Sequence, residues 1–373
     1  MARRKALFVV PVLQRAGAEN QLVVLVNGLP ADQFEKHLLS YRPGDDLRDD
    51  VDTSEIGLHD LRRKGRLDFD LGRQIGRIID EHDIDVVHCT LQNALLFGYM
   101  GVRYASRAPK LIASIHTTKN ANFKLDVADW LVYRPILKRC DQVWFVSSKQ
   151  AELWIRKMPF IAQTSVTVHN GVDLDYFDPA LFPLARRELR VKLGISEEEK
   201  VLCSIAGLRT EKMHSVLIEA LARNIGNGER YRLLLAGVGP MEQDLRKQVK
   251  QLGLEQQVDF LGSLKDVRGL LAAADCKMLV SAAETFSMAM LEAMAMQVPV
   301  ITTAVGGASE AIDDGVTGYL LQPGDAGALA ETISRLLSDD NKRIEMGKRA
   351  RQVVAEKFSI GQMVARSAEL LTT

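Results

Sequence analysis

The chain has 373 residues, of which 47% are hydrophobic and 26% charged, and its formal net charge is +0. That length exceeds one ordinary hydrophobic core and suits two domains. The charge balance excludes a bulk field for nucleic acid, so no nucleic-acid partner is expected and any anion-binding site must be local.

The basic start Met1-Ala2-Arg3-Arg4-Lys5 leads into an apolar run broken by Pro11. The run is too short for an anchor and reads as a first strand over residues 6–12. Helical character follows at 19–27, and residues 70–81 carry Leu71, Ile75, Ile78 and Ile79 at helical spacing. Strands are predicted at 85–89, 111–115 and 142–146. Such alternation of apolar strands with helices predicts a parallel sheet covered on both faces. At 166–179 the pattern changes: His169-Asn170-Gly171-Val172-Asp173 reads as a turn, because Asn-Gly favours positive φ, and the interdomain linker is placed here. The alternation then restarts, with strands at 201–206, 231–236, 258–261, 276–280 and 298–302. Helices at 215–224, 241–252, 266–273 and 288–295 separate them, and the chain is helical from 326 onward. The expected architecture is α/β, two doubly wound Rossmann-like domains facing across a cleft that holds the ligand.

Cys89, Cys140, Cys203 and Cys276 are scattered, with no C-x-x-C pair, so neither a disulfide framework nor a zinc site is expected and a reducing cytoplasm fits. No three of the seven histidines show metal-ligand spacing. Outside the first strand, no segment approaches the roughly 20 apolar residues that span a bilayer.

Chemistry concentrates in residues 281–295. There Glu284, Thr285, Phe286, Ser287, Met288 and Ala289 follow an apolar strand and open a helix. Free backbone N–H groups at that helix start suit a diphosphate. Glu292 lies eight positions after Glu284, about two turns on and near the same helix face. Two carboxylates so placed can accept hydrogen bonds from sugar and ribose hydroxyls, although a helix-dipole acid and a solvated helix glutamate would look the same. A second segment, Ala206-Gly207-Leu208-Arg209-Thr210-Glu211-Lys212, pairs a glycine with two cations that can bracket a diphosphate and neutralise a leaving group. Alone it is equally a surface loop. A third, Gln14-Arg15-Ala16-Gly17-Ala18-Glu19, places a glycine loop between strand and helix but lacks dinucleotide spacing. In the fourth, Ser114-Ile115-His116-Thr117-Thr118, His116 stands at a strand's carboxyl end and ranks above His88 and His169 as a functional histidine. The glycines of Gly237-Val238-Gly239-Pro240 and of Gly306-Gly307 fit a conformational role as well as ligand contact.

Together these residues resemble the family 4 glycosyltransferases of GT-B fold, over most of the chain and most densely at 201–321. The pair Glu284 and Glu292, the loop Gly207, Arg209 and Lys212, the linker Asn170 to Asp173, Gly17 and His116 all match the family pattern in order. The resemblance implies that Arg209 and Lys212 hold the donor diphosphate, Glu284 the donor sugar and Glu292 the ribose. Backbone from Phe286 to Ala289 would approach the sugar and phosphates. Gly17 would add backbone contacts, His116 would lie beside the transferred sugar, and the base would lie near 262–266. Departures are Thr285, Ser287 and Gln297, where the family often has glycine, Ala16 in place of a glycine before Gly17, and Met213-His214 where a glycine commonly follows the lysine.

The implied reaction is retaining, metal-independent transfer of a hexose from a nucleotide diphosphate, UDP-sugar preferred and GDP-sugar the alternative, by front-face attack of the acceptor hydroxyl. No cofactor is expected. The domains are set at 1–175 on the acceptor side, 176–357 on the nucleotide-sugar side, and a C-terminal helix at 358–373 packing back on the first. A glycan or lipid-linked acceptor, in cell-surface polysaccharide or lipopolysaccharide synthesis, is expected. The basic segment Leu61-Arg62-Arg63-Lys64-Gly65-Arg66 with Leu67 and Phe69 suits the anionic inner face of a membrane, as do Trp130, Leu131, Tyr133, Arg134, Lys138 and Arg139. A solvated face fits those segments as well. The competing readings are a GT-B nucleotide-sugar epimerase, for which His116 and Glu284 would be the acid/base groups, and a non-catalytic glycan-binding or scaffold protein.

Overall fold

A computed structural model describes residues 3–65, 67–117 and 129–373, with backbone alone at 129 and 130. Arg66, Thr118 and the Trp130 side chain lie outside the described residues. The chain divides into two compact units, Met1–Gly171 with Ile360–Thr373, and Val172–Ser359.

The first unit is built on a parallel sheet of order β3-β2-β1-β4-β5-β6-β7. Its strands are β1 (Arg4–Val10), β2 (Phe34–Ser40), β3 (Ile56–Asp60), β4 (Val86–Thr90), β5 (Lys110–Ile115), β6 (Gln142–Phe145) and β7 (Ser165–Thr167). Period-two alternation along β1 feeds two cores. Leu7 and Val9 pack with helices α2 (Phe69–Glu81) and α3 (Gln92–Tyr104), whereas Ala6, Phe8 and Val10 pack with α1 (Gly17–Gly28) and the helix Ile360–Thr372. Gly28 allows that last helix to approach α1, since a Cβ there would stand 2.7 Å from Val364 Cγ2. Asp68 caps α2 by accepting from Leu71 N at 3.1 Å.

The sequence reading passes over β2 and β3. Lys36 and His37 interrupt the apolar pattern of β2, and a buried lysine is costly unless paired. Here the Lys36 ammonium donates to Leu29 O at 2.9 Å and to Glu55 at 3.1 Å. The turn expected at Asn170-Gly171 is corrected: neither residue has positive φ. The Gln21 side chain instead grips Gly171 from both sides, accepting from its N–H at 2.8 Å and donating to its carbonyl at 3.0 Å. The actual turn comes later, where Asp173 Oδ1 accepts from Asp175 N and Tyr176 N.

The second unit holds a parallel sheet of order β10-β9-β8-β11-β12-β13. Its strands are β8 (Lys200–Ile205), β9 (Tyr231–Ala236), β10 (Val258–Gly262), β11 (Cys276–Leu279), β12 (Val300–Thr303) and β13 (Gly318–Leu321). Asp275, fully buried just before β11, accepts from Val201 N at 2.8 Å and lies 2.9 Å from Arg186, 3.3 Å from Arg343 and 3.8 Å from Arg190. No helix of the described residues is long and apolar enough to cross a membrane.

Candidate functional site

Strand order reverses between β8 and β11 in the second unit. In a doubly wound sheet the crevice beyond the carboxyl ends of two such strands is where ligands bind. The loops leaving β8 and β11 are the two segments richest in candidate residues. They are joined by a backbone hydrogen bond from Ala282 N to Glu211 O at 2.8 Å and by an ion pair between Lys212 Nζ and Glu284 Oε1. Ser281 Oγ donates to the same carboxylate oxygen at 2.7 Å.

Each loop is braced from below. Leu208 N donates to Val238 O at 3.0 Å, and Met241 N to Leu208 O at 3.0 Å. A Cβ on Gly237 would lie 2.0 Å from Ala206 O, and one on Gly239 would lie 2.3 Å from Leu208 O. These glycines therefore act through close backbone packing. Gly306, at φ +55°, does the same for the other loop: a Cβ there would stand 2.3 Å from Glu284 O. Gly307 N donates to Thr285 O at 2.7 Å, and the Phe286 ring is buried 5.3 Å from that of Phe358. Phe286 thus anchors the loop with its side chain.

The helix Met288–Ala295 begins at Met288, so Glu284 precedes it by four residues and shares no helix face with Glu292. That part of the spacing argument is corrected. The two carboxylates are related instead through Lys277, whose charge interacts with both. Ser287 is the N-cap residue, yet its hydroxyl makes no capping bond. No side chain at the cap therefore competes for the N–H groups of the first turn. Arg209 is exposed at the N-cap of the short turn Thr210–Lys212, and its guanidinium makes no ion pair among the described residues. Gly207 faces the Arg209 side chain, with a Cβ reaching only ordinary contact with Nε at 3.5 Å.

Sequence reasoning missed Lys277. It lies fully buried in β11, donating to Met278 O at 3.1 Å and Ile205 O at 3.4 Å. Burial pulls its ammonium down to about 8, and burial pushes the Glu292 carboxyl up while Lys277 holds it down. The available signal was a lysine inside an otherwise apolar strand. His214 was noted only as a departure. It is buried with its Nε2 3.4 Å from Ser204 Oγ, and burial pulls it down to about 4, so it is neutral at pH 7.

The structure also explains the departures from glycine at two positions. Met213 has φ +48° and Gln297 φ +58°, left-handed conformations that glycine adopts at no steric cost.

In the first unit, Gly17 opens α1 in an exposed position with nothing within 4 Å of where a Cβ would stand. His116 follows β5, its Nε2 3.1 Å from Ser114 Oγ, and burial pulls its imidazole down to about 4. Gln150 Nε2 donates to the carbonyls of Ile115 at 2.9 Å and Thr117 at 3.1 Å, and Trp154 Nε1 donates to Thr117 O at 2.9 Å, which fixes the chain around His116. His116 lines a pocket with His88, Thr90, Ser114 and Gln21. His88 is buried between Phe8 and Trp144, with centroids at 5.4 and 4.9 Å. Loop geometry thus gathers Gly207, Arg209, Lys212, Glu284 to Ala289 and Glu292 in one unit, while Gly17 and His116 lie in the other, where Ala18, the neighbour of Gly17, lines the same pocket as His116.

Comparison with known proteins accounts for both units. Residues 185–353 match the family model described as "Glycosyl transferases group 1", and residues 15–176 match "Glycosyltransferase Family 4". The chain is 30% identical over 301 residues to N-acetyl-alpha-D-glucosaminyl L-malate synthase of Bacillus anthracis, covering 80% of this chain and 77% of that protein. It is 29% identical to the putative glycosyltransferase EpsD of Bacillus subtilis, covering 80% and 79%. Its fold is similar to Anabaena Alr3699/HepE, solved in complex with UDP and glucose, with a TM-score of 0.85 at 23% identity over the full length of both chains. The chain belongs to the family 4 glycosyltransferases of GT-B fold.

Proposed function

We propose that this glycosyltransferase moves a hexose from a nucleotide diphosphate, UDP-sugar in first place, to a glycan or lipid-linked acceptor with retention of configuration and without a metal at the reacting centre. The observation that carries this reading is the joined pair of loops beyond β8 and β11. They offer an exposed Arg209, a Lys212 ammonium against Glu284, and a helix start whose cap residue leaves its N–H groups uncapped.

A diphosphate arriving there meets two cations and the N-terminal helix dipole, which together offset its charge. As the sugar–phosphate bond breaks, negative charge grows on the leaving phosphate. Arg209 and Lys212 stabilise that charge, a task otherwise given to a divalent ion. Glu284 is released from Lys212 in proportion as the phosphate takes over that ammonium, and then accepts from sugar hydroxyls. Glu292, whose carboxyl burial pushes up while the Lys277 charge opposes that rise, accepts from the ribose. Neutral His116 offers a hydrogen bond beside the transferred sugar. The leaving phosphate takes the acceptor proton on the same face, so no enzyme nucleophile of the kind used by retaining glycosidases is required.

The uridine preference draws support from the UDP and glucose bound by the similarly folded Anabaena protein. A role at the inner membrane face, in polysaccharide or lipopolysaccharide assembly, draws support from exposed Leu67, Phe69, Leu131 and Val132 near basic residues. Thermal stabilisation by UDP-, GDP- and ADP-linked sugars tests the donor site, with Lys212→Ala as control. Stabilisation by one base, abolished in the variant, is expected; no stabilisation by any overturns the reading. NMR of the product anomer decides retention, turnover in EDTA decides the metal question, and binding to anionic against neutral vesicles decides the membrane role.

A further inference from the structure

Three of the histidines that looked unrelated along the chain converge in the first unit. His37 lies on β2, His59 on the edge strand β3, and His82 is the C-cap residue of α2. In the parallel register His37 pairs with Gly57 and Leu39 with His59, so His37 and His59 project from the same sheet face as Leu39, the face on which α2 packs. The ring centroids are 5.3 Å apart for His37 and His59, 4.4 Å for His37 and His82, and 5.2 Å for His59 and His82. Each ring offers one nitrogen, and the three nitrogens lie within 4.8 Å of one another.

We propose that His37, His59 and His82 form a site for one divalent transition metal of the zinc class, which ties the edge strand β3 to β2 and to the end of α2. Three imidazoles suit zinc, cobalt, nickel or copper and not the oxygen-seeking magnesium or calcium. With zinc–nitrogen bonds of about 2.0–2.1 Å, tetrahedral ligands stand roughly 3.3 Å apart. His37 Nδ1 and His59 Nε2 are already 3.0 Å apart. His82, at a helix end and partly exposed, needs only a small ring movement to close the set, and the same exposure leaves a fourth position for water.

Two further features fit ligation. Glu35 Oε1 lies 3.4 Å from His37 Nε2, the nitrogen turned away from His59. A carboxylate there fixes the tautomer that presents the Nδ1 lone pair to the metal and raises its basicity. Gly57 leaves the room the ring needs, since a Cβ at that position would stand 2.8 Å from His37 Nδ1. The charges nearby are mixed: Lys5 faces His37 but is 3.6 Å from Asp83, and Asp60 acts on His59. Burial first, and then the neighbouring rings, hold His37 and His59 below the ordinary imidazole range, the direction that favours the uncharged form a metal needs. The cluster shares no residue with the proposed donor loops, which belong to the other unit.

The test is zinc binding by the full-length chain at pH 7.5, measured by competition with a chromophoric chelator and by the rise in thermal midpoint. One zinc per chain is expected, weakened at least tenfold in His59→Asn and in His82→Asn and abolished in the double variant, whose folding is checked by circular dichroism. Absence of stoichiometric binding to the wild type overturns the proposal, as does a folded double variant that binds like the wild type. Should the double variant fail to fold, anomalous scattering at the zinc edge from zinc-soaked wild-type crystals decides. A peak among the three rings upholds the site and none overturns it.

Discussion

Lys212 and Glu284, 72 positions apart in sequence, are ion-paired, and the Glu284 oxygen that holds the ammonium also accepts from Ser281. In the proposed mechanism the pair holds each group in place for a separate duty: the ammonium for a phosphate, the carboxylate for sugar hydroxyls. Both side chains are partly exposed, so the pair itself contributes little to stability. Lys212→Ala is therefore expected to fold with a thermal midpoint near that of the wild type and to lose about 10²–10³-fold in kcat/KM. Glu284→Gln keeps the shape and should lose less than Lys212→Ala, mainly in kcat. Steady-state kinetics with the donor chosen by the binding panel checks both.

Gly306 carries the second prediction. Its Cβ position is 2.3 Å from Glu284 O and 2.6 Å from Thr285 O, at a φ of +55°. Gly306→Ala must push the Glu284 loop aside, so donor KM should rise about tenfold or more while the sheet stays folded. Donor titration of the variant followed by protein fluorescence reads this directly. An unchanged KM would show that the loop tolerates displacement.

Lys277 gives a pH dependence. Its folded value of about 8 lies below its unfolded value of 10.5, so between these the unfolded chain holds more protons. Its contribution is thus present above 10.5 and lost as pH falls through 8. Stability from this group should rise with pH across that window, and Lys277→Met should flatten the slope. Denaturant unfolding at several pH values measures it. The same variant removes the charge that holds the Glu292 carboxyl down, so Glu292 should protonate at higher pH and donor binding should weaken on the acid side earlier than in the wild type.

Gln297 is exposed and left-handed, at φ +58°. Gln297→Gly relieves a conformational cost of roughly 1–2 kcal/mol, of which the greater freedom of glycine in the unfolded chain takes back part. A net stabilisation of about 0.5–1 kcal/mol is expected in urea unfolding.

Asp275 faces three arginines at zero exposure. Asp275→Ala leaves those cations without their shared acceptor and strips Val201 N of its bond. A loss of about 3–5 kcal/mol is expected from breaking a buried pair on one side. Calorimetry would reveal it, and a loss below 1 kcal/mol would mean that water reaches the arginines.

The strand–helix alternation of both units is legible in the residues alone, because apolar strands between amphipathic helices leave a covered parallel sheet as the economical way to bury them. Legible there too is where glycines, cations and carboxylates collect, at 206–212 and 281–292, since these follow strands and open turns or helices. Which loops meet emerges from the packed fold. Strand order placed β8 beside β11 although 70 residues separate Ile205 from Cys276, with β9 and β10 between them in sequence. That order is what sets Lys212 on Glu284. The fold also decided which polar residues could be buried. Lys36 is tolerated in β2 because Leu29 O and Glu55 receive it, and Lys277 in β11 because carbonyls and two carboxylates surround it. The histidines at 37, 59 and 82 show the same limit. Their spacing suggests nothing, because a metal site assembled across two strands and a helix end has no linear signature; parallel register and helix packing alone bring the rings together.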